Sequence, residues 1–161
     1  MNRPLDPVIS AIDATWFGAG LATASQARLA DISRRYQAGV GAVLLREGGE
    51  TRELSLLIHG RVGLSELVPG RGSVTLISVE PGDIFGWSAI LPPFLATSTV
   101  TALGPVDVLA FDGPRLRRAL HDDVELAAGV YQQVLEAVAR RLLATRQQLL
   151  DLYGAGAIEP W

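Results

Sequence analysis

Between residues 39 and 112 the apolar residues fall in short runs separated by glycine, proline and charged residues. The runs cover 42–45, 54–59, 62–68, 74–79, 84–85, 97–103 and 106–111. Turn signals lie between them at Gly48-Gly49, Gly60, Pro69-Gly70, Pro81-Gly82 and Gly104-Pro105. Seven short strands at this spacing predict an antiparallel sandwich or barrel.

The flanks follow a different period. Residues 1–20, with Pro4, Pro7, Gly18 and Gly20, read as an irregular arm anchored by Trp16 and Phe17, with a helical turn near Val8 to Ala14. Residues 24–36 read as a helix capped by Ser25, with Leu29, Ile32 and Tyr36 on one face and Arg34-Arg35 as a solvated C-terminal end. Asp112 and Pro114 are helix-start chemistry for a short helix over 115–121, and Asp122 or Asp123 caps a long one. From Val124 to Leu152 there is no proline, and apolar or small residues recur at Val124, Ala128, Tyr131, Leu135, Val138, Leu142, Thr145, Leu149 and Leu152. Spacings alternate four and three without a break, a heptad seam on a helix about 43 Å long. A second set, Leu126, Val130, Val134, Leu143 and Leu150, widens the stripe, so one face can pack on the sheets while the other meets a second copy. The tail 154–161 is glycine-rich and reads as loose, so the chain divides into arm 1–20, strand region 39–112, helix 123–153 and tail, with residues 1–153 as one domain.

One stretch breaks the strand pattern. In Glu80–Ala102, a Pro81-Gly82-Asp83 turn leads into Ile84-Phe85, then Gly86, then one helical turn over Trp87 to Leu91. Pro92-Pro93 stop that turn, and the β-branched run Thr97 to Thr101 reads as a strand. A glycine before a helix start leaves backbone N–H groups free, at Ser88 and Ala89, as an anion would use them.

Composition narrows the chemistry. The chain has 161 residues, 48% of them apolar, which fits one domain with one core. There is no cysteine, and the two histidines, His59 and His121, cannot build a multi-histidine centre, so no metal is expected. His59, before Gly60, reads as a hydrogen-bonded structural histidine. No carboxylate pair or nucleophile–base arrangement stands out, so no catalytic residue is assigned and no enzyme is expected. Net charge is −3, all fourteen basic residues are arginine, and no apolar run approaches membrane-spanning length. A cytoplasmic protein with no membrane contact and no direct DNA binding is the expectation.

The 80–102 stretch resembles the phosphate-binding cassette of the cyclic nucleotide-binding domain, the sensor fold of Crp/Fnr regulators and of protein kinase A regulatory subunits. That cassette runs Phe-Gly-Glu, a short helix, a loop, then Arg-Ser/Thr-Ala-x-Val-x-Ala. Phe85-Gly86, Thr97, Ser98, Val100 and Ala102 match it, whereas Trp87 stands where the ribose-binding Glu is expected and Ala96 where the phosphate-pairing Arg is expected. The corner His59-Gly60-Arg61-Val62 resembles the family's Gly-x-Val turn, and Ala139-Arg140-Arg141-Leu142 with Thr145 resembles the segment that reaches adenine from the partner subunit.

The resemblance implies a mainly β jelly-roll-like β-roll with N-terminal helices and a long C-terminal dimerisation helix. It implies a ligand site at Phe85, Gly86, Trp87, Ser88, Ala89, Ala96, Thr97, Ser98 and Thr145, and a homodimer through Tyr131, Leu135, Val138, Leu142, Thr145 and Leu149. It covers about residues 20–153, and the chain stops eight residues past Tyr153 without a helix-turn-helix segment. The expectation is a regulatory sensor module that acts through an unknown partner protein, its cyclic-nucleotide ligand lost or altered. A working cyclic AMP or cyclic GMP receptor with a non-standard cassette is the alternative, and a cupin-like enzyme the remaining one.

Overall fold

The computed structural model describes residues 6–155. Eight strands form two four-stranded antiparallel sheets, ordered β1-β8-β3-β6 and β2-β7-β4-β5. The strands are β1 (Ser33–Ala38), β2 (Val43–Leu45), β3 (Glu53–His59), β4 (Val62–Val68), β5 (Gly72–Val79), β6 (Ile84–Phe85), β7 (Thr99–Ala102) and β8 (Val106–Asp112). Helices α1 (Pro7–Asp13), α2 (Trp16–Ala19) and α3 (Thr23–Asp31) precede them, and α4 (Gly113–Asp122) and α5 (Val124–Ala155) follow. This is the β-roll with flanking helices and a long C-terminal helix.

The period-2 alternation of each strand sorts its side chains between two cores. On β3, β6 and β8 the residues Leu54, Leu56, Ile84, Leu109 and Phe111 face the helices. Their neighbours Leu57, Phe85, Val106 and Val108 face the second sheet, meeting Val62, Val79, Val100 and Ala102. Strands β3, β6 and β8 of the first sheet are therefore buried on both faces, which explains why they read as apolar runs. The corner into β4 requires glycine. Gly60 sits at φ 86°, and a Cβ there would lie 2.2 Å from the Pro105 carbonyl oxygen.

Four expectations are corrected. The arm is not irregular: α1 and α2 fold onto the helix-side core, and Ile12 and Phe17 are fully buried. The predicted 24–36 helix ends at Asp31; residues 33–38 are strand β1, paired with β8 from Ser33–Phe111 to Ala38–Val106. Arg34 and Arg35 thus lie on opposite faces of a strand, each forked onto a carboxylate: Arg34 onto Glu53 at 2.6 and 2.7 Å, Arg35 onto Asp107 at 2.9 and 2.7 Å. Ser25 is buried inside α3 rather than capping it; the cap position is Ala22, with no side-chain bond. His59 is exposed, with no side-chain hydrogen bond among the described residues. The predicted tail lies outside the described residues except for Gly154 and Ala155, which continue α5.

Candidate cassette site

Gly86 sets the geometry of the cassette. It adopts φ 74°, and a Cβ there would sit 2.7 Å from the Glu53 carbonyl oxygen, so only glycine lets β6 turn against β3 at this point. A single 3-10 turn, Trp87–Ala89, follows. Its N–H groups are partly used: the Ala89 N–H donates to the Gly86 carbonyl at 3.0 Å and the Ile90 N–H to the Trp87 carbonyl at 3.2 Å. Ser88 is buried and donates its hydroxyl to Thr51 Oγ1 at 2.8 Å. Beyond the loop, Ala96 is buried and clamped through its backbone, its N–H to the Gly49 carbonyl and its carbonyl to the Gly48 N–H, both 2.8 Å.

These elements enclose a hollow lined by Leu45, Leu64, Phe85, Gly86, Trp87, Ser88, Thr97, Ser98, Val100 and Arg141, with a volume of about 20 Å³. That is room for about one water. A small-molecule pocket typically needs about 300–1,000 Å³. Trp87 both lines the hollow and packs on the helix-side core. Six of the nine sequence-derived ligand positions meet here. Ala89 and Ala96 point into packed structure. Thr145 is exposed on α5 and donates its hydroxyl back to the Arg141 carbonyl at 2.9 Å.

Four lining residues were not assigned as ligand positions from the sequence, Leu45, Leu64, Val100 and Arg141, and the charged one is Arg141. Its side chain comes off α5, is only 12% exposed, and joins the lining of the hollow. It donates Nη2 to the Ile84 carbonyl and lies 3.6 Å from the Asp83 carboxylate, which Arg140 also holds at 3.2 Å. Arg140 in turn stacks over Trp16 at 3.7 Å from the ring centroid. Burial pulls the Arg141 guanidinium below its ordinary pKa; Asp83 opposes that shift and Arg140 adds to it. Arg141 Nη1 is buried without a hydrogen-bond partner among the described residues. The basic pair in Ala139-Arg140-Arg141-Leu142 was the available signal, but its target, a turn nearly sixty residues upstream, is not visible along the chain.

The long helix presents two faces. Leu126, Val130, Val134 and Ala137 are buried in the domain. The heptad positions stand in solvent: Tyr131 is 43% exposed, Leu135 68%, Leu142 58% and Leu149 53%, with Val138 half-buried. Leu143 and Leu150, expected to widen the packed stripe, are exposed as well.

Comparison with known proteins places the chain. The sequence model of the cyclic nucleotide-binding domain matches residues 33–123. A CRP-like cAMP-activated global transcriptional regulator of Mycobacterium tuberculosis is 30% identical over 112 residues, 70% of this chain and 48% of that protein. The acetyltransferase Pat of Mycolicibacterium smegmatis is 31% identical over 116 residues, 72% of this chain and 33% of its own length. The chain thus spans about half or less of the curated relatives it matches. Among solved structures, one from Geobacter metallireducens, described as a candidate cyclic nucleotide-binding protein, superimposes with a TM-score of 0.74 at 30% identity, covering 88% of this chain and 99% of that one. The cassette, the two-sheet roll and the matched segment together establish that the chain belongs to the cyclic nucleotide-binding domain family.

Proposed function

We propose that this chain is a non-catalytic regulatory module that pairs with a second copy through α5, acts through a partner protein, does not itself bind DNA, and has an altered ligand site. The carrying observation is the cassette hollow: about 20 Å³, with no charged side chain at position 87 or 96. Removing one partner of a buried charge pair typically costs about 2–5 kcal/mol. At 1.4 kcal/mol per tenfold, the missing arginine alone corresponds to roughly 30- to 3,000-fold weaker cyclic phosphate binding. The exposed Tyr131–Leu149 stripe supports pairing, because monomeric proteins rarely leave a long contiguous apolar seam in water. The relatives support a module whose output lies elsewhere, since the matched segment is a minority of both the regulator and the acetyltransferase.

Calorimetric titration with cyclic AMP and cyclic GMP tests the ligand side. The expected result is no saturable binding at micromolar concentrations, and tight binding by the unmodified chain overturns the reading. Light scattering tests the other side, with twice the 17.1 kDa chain mass expected.

A further inference from the structure

A second hollow lies where the loop after the 3-10 turn meets the start of β3 and the first turn of α4. It has a volume of about 570 Å³. A small-molecule site typically spans about 300–1,000 Å³. Its wall carries three arginines and three carboxylates, and four of these six charges cancel in pairs. Arg34 forks onto Glu53, and Arg52 holds Glu50 at 3.0 Å. The remaining two, Arg117 and Asp112, form no ion pair among the described residues, with each other or with any third group.

Each is held in place by something else. Arg117 is half-buried, donates Nη1 to the Ala89 carbonyl at 2.6 Å and stacks over the Phe94 ring at 4.4 Å from its centroid. Its Nε–Nη2 edge, the fork that suits a carboxylate, has no acceptor among the described residues. Asp112 is also half-buried and accepts the Arg115 N–H through Oδ1 at 2.8 Å, as the cap of α4. Its Oδ2 has no donor among the described residues. One cleft thus holds a free cationic fork and a free carboxylate oxygen, pinned apart and half out of water. A simple anion would meet Arg117 and be repelled by Asp112; a simple cation would meet the reverse. A ligand that carries both charges satisfies both groups.

We propose that this cleft binds a free amino acid with an apolar side chain. The ligand carboxylate lies on the Nε–Nη2 edge of Arg117, the ammonium group donates to Asp112 Oδ2, and the side chain lies along Phe94 and Pro114. The cleft and the cassette hollow share no lining residue, so the cyclic nucleotide titrations above and the test below fail separately.

The test titrates the full chain calorimetrically at pH 7 with L-valine, L-leucine, L-isoleucine, L-methionine and L-phenylalanine. Saturable binding of at least one is expected. The amine that lacks its carboxylate and the acid that lacks its amino group should each bind the wild type at least tenfold more weakly, and this arm needs no variant. Arg117→Gln keeps a donor for the Ala89 carbonyl and should weaken binding by about 10- to 100-fold, the loss of a charge-assisted contact. Asp112→Asn keeps a capping oxygen, since Asn caps helices as well as Asp does, so its melting temperature without ligand should stay near that of the wild type while binding falls by tenfold or more. Where Arg117→Gln fails to fold, Asp112→Asn decides. Folded wild type that binds none of the five overturns the proposal. So does an analogue that binds as well as its amino acid, or a loss below tenfold in the deciding variant.

Discussion

The exposed seam on α5 allows pairing to be separated from folding. Replacing both Leu135 and Leu142 by Asp changes side chains that are 68% and 58% exposed in the single chain. Such positions contribute little to the domain core, so the variant should keep its fold. Full burial of a leucine is worth about 1.5–3 kcal/mol, and close to two thirds of that remains to be gained here, about 1–2 kcal/mol per side chain. A two-fold pair contains four such leucines, so the substitution removes about 4–8 kcal/mol of association free energy before the cost of burying Asp. At 1.4 kcal/mol per tenfold, dissociation constants should rise roughly 10³- to 10⁶-fold. Light scattering over a micromolar dilution series gives the mass, and circular dichroism with a thermal melt gives the fold. The expected outcome is a folded species of 17.1 kDa in the variant and twice that in the wild type. A wild type that runs as one chain at every concentration refutes the reasoning, as does a variant that stays paired. Loss of strand signal in the variant would show that the two leucines belong to the core after all.

Two further outcomes concern the fold. Gly86→Ala forces a Cβ at φ 74° to within 2.7 Å of the Glu53 carbonyl oxygen, so it should cost about 1–3 kcal/mol, visible as a lowered midpoint in urea unfolding. Asp107 is held below the ordinary carboxylate range, first by its hydrogen bonds from Arg35, with burial opposing. A carboxyl whose folded pKa is depressed stabilises the fold above its unfolded pKa of about 3.9, and that contribution is lost as pH falls through the lower folded value. Asp107→Asn should therefore lower the melting temperature at pH 7 and approach the wild type as the pH falls below the unfolded value and through the lower folded one; a difference that is constant with pH would refute the assignment.

Much of the roll was legible because glycine, proline and charge punctuate it. The 62–68 and 84–85 strands coincide with β4 and β6, and the long helix starts at Val124 as its cap predicts. Strand β1 was not legible, since Ser-Arg-Arg-Tyr-Gln-Ala carries no β-branched residue and Leu29, Ile32 and Tyr36 happen to fit a helical face. What makes it a strand is β8, about seventy residues away. Separation along the chain likewise hid the partners of Arg35 and of Arg141, Asp107 and Asp83. The cassette's matching residues identified the place, and Gly86, Trp87, Ser88, Thr97 and Ser98 do meet there. The guanidinium came from another element, and no spacing rule within the cassette points to it.

One consequence follows from where α5 leaves the domain. Up to Arg141 the helix is seated on the roll; from Leu142 to Gly154 every residue is exposed, and Gln148, donating to the Leu76 carbonyl at 3.0 Å, makes the one side-chain hydrogen bond from that segment to the roll among the described residues. A helix of about 12–15 residues standing alone in water is marginal. On the pairing proposed here, a second copy that covers those last turns stabilises them as helix. Helix content would then rise with protein concentration, so the module would register its own abundance through the same element that carries Arg141 into the cassette.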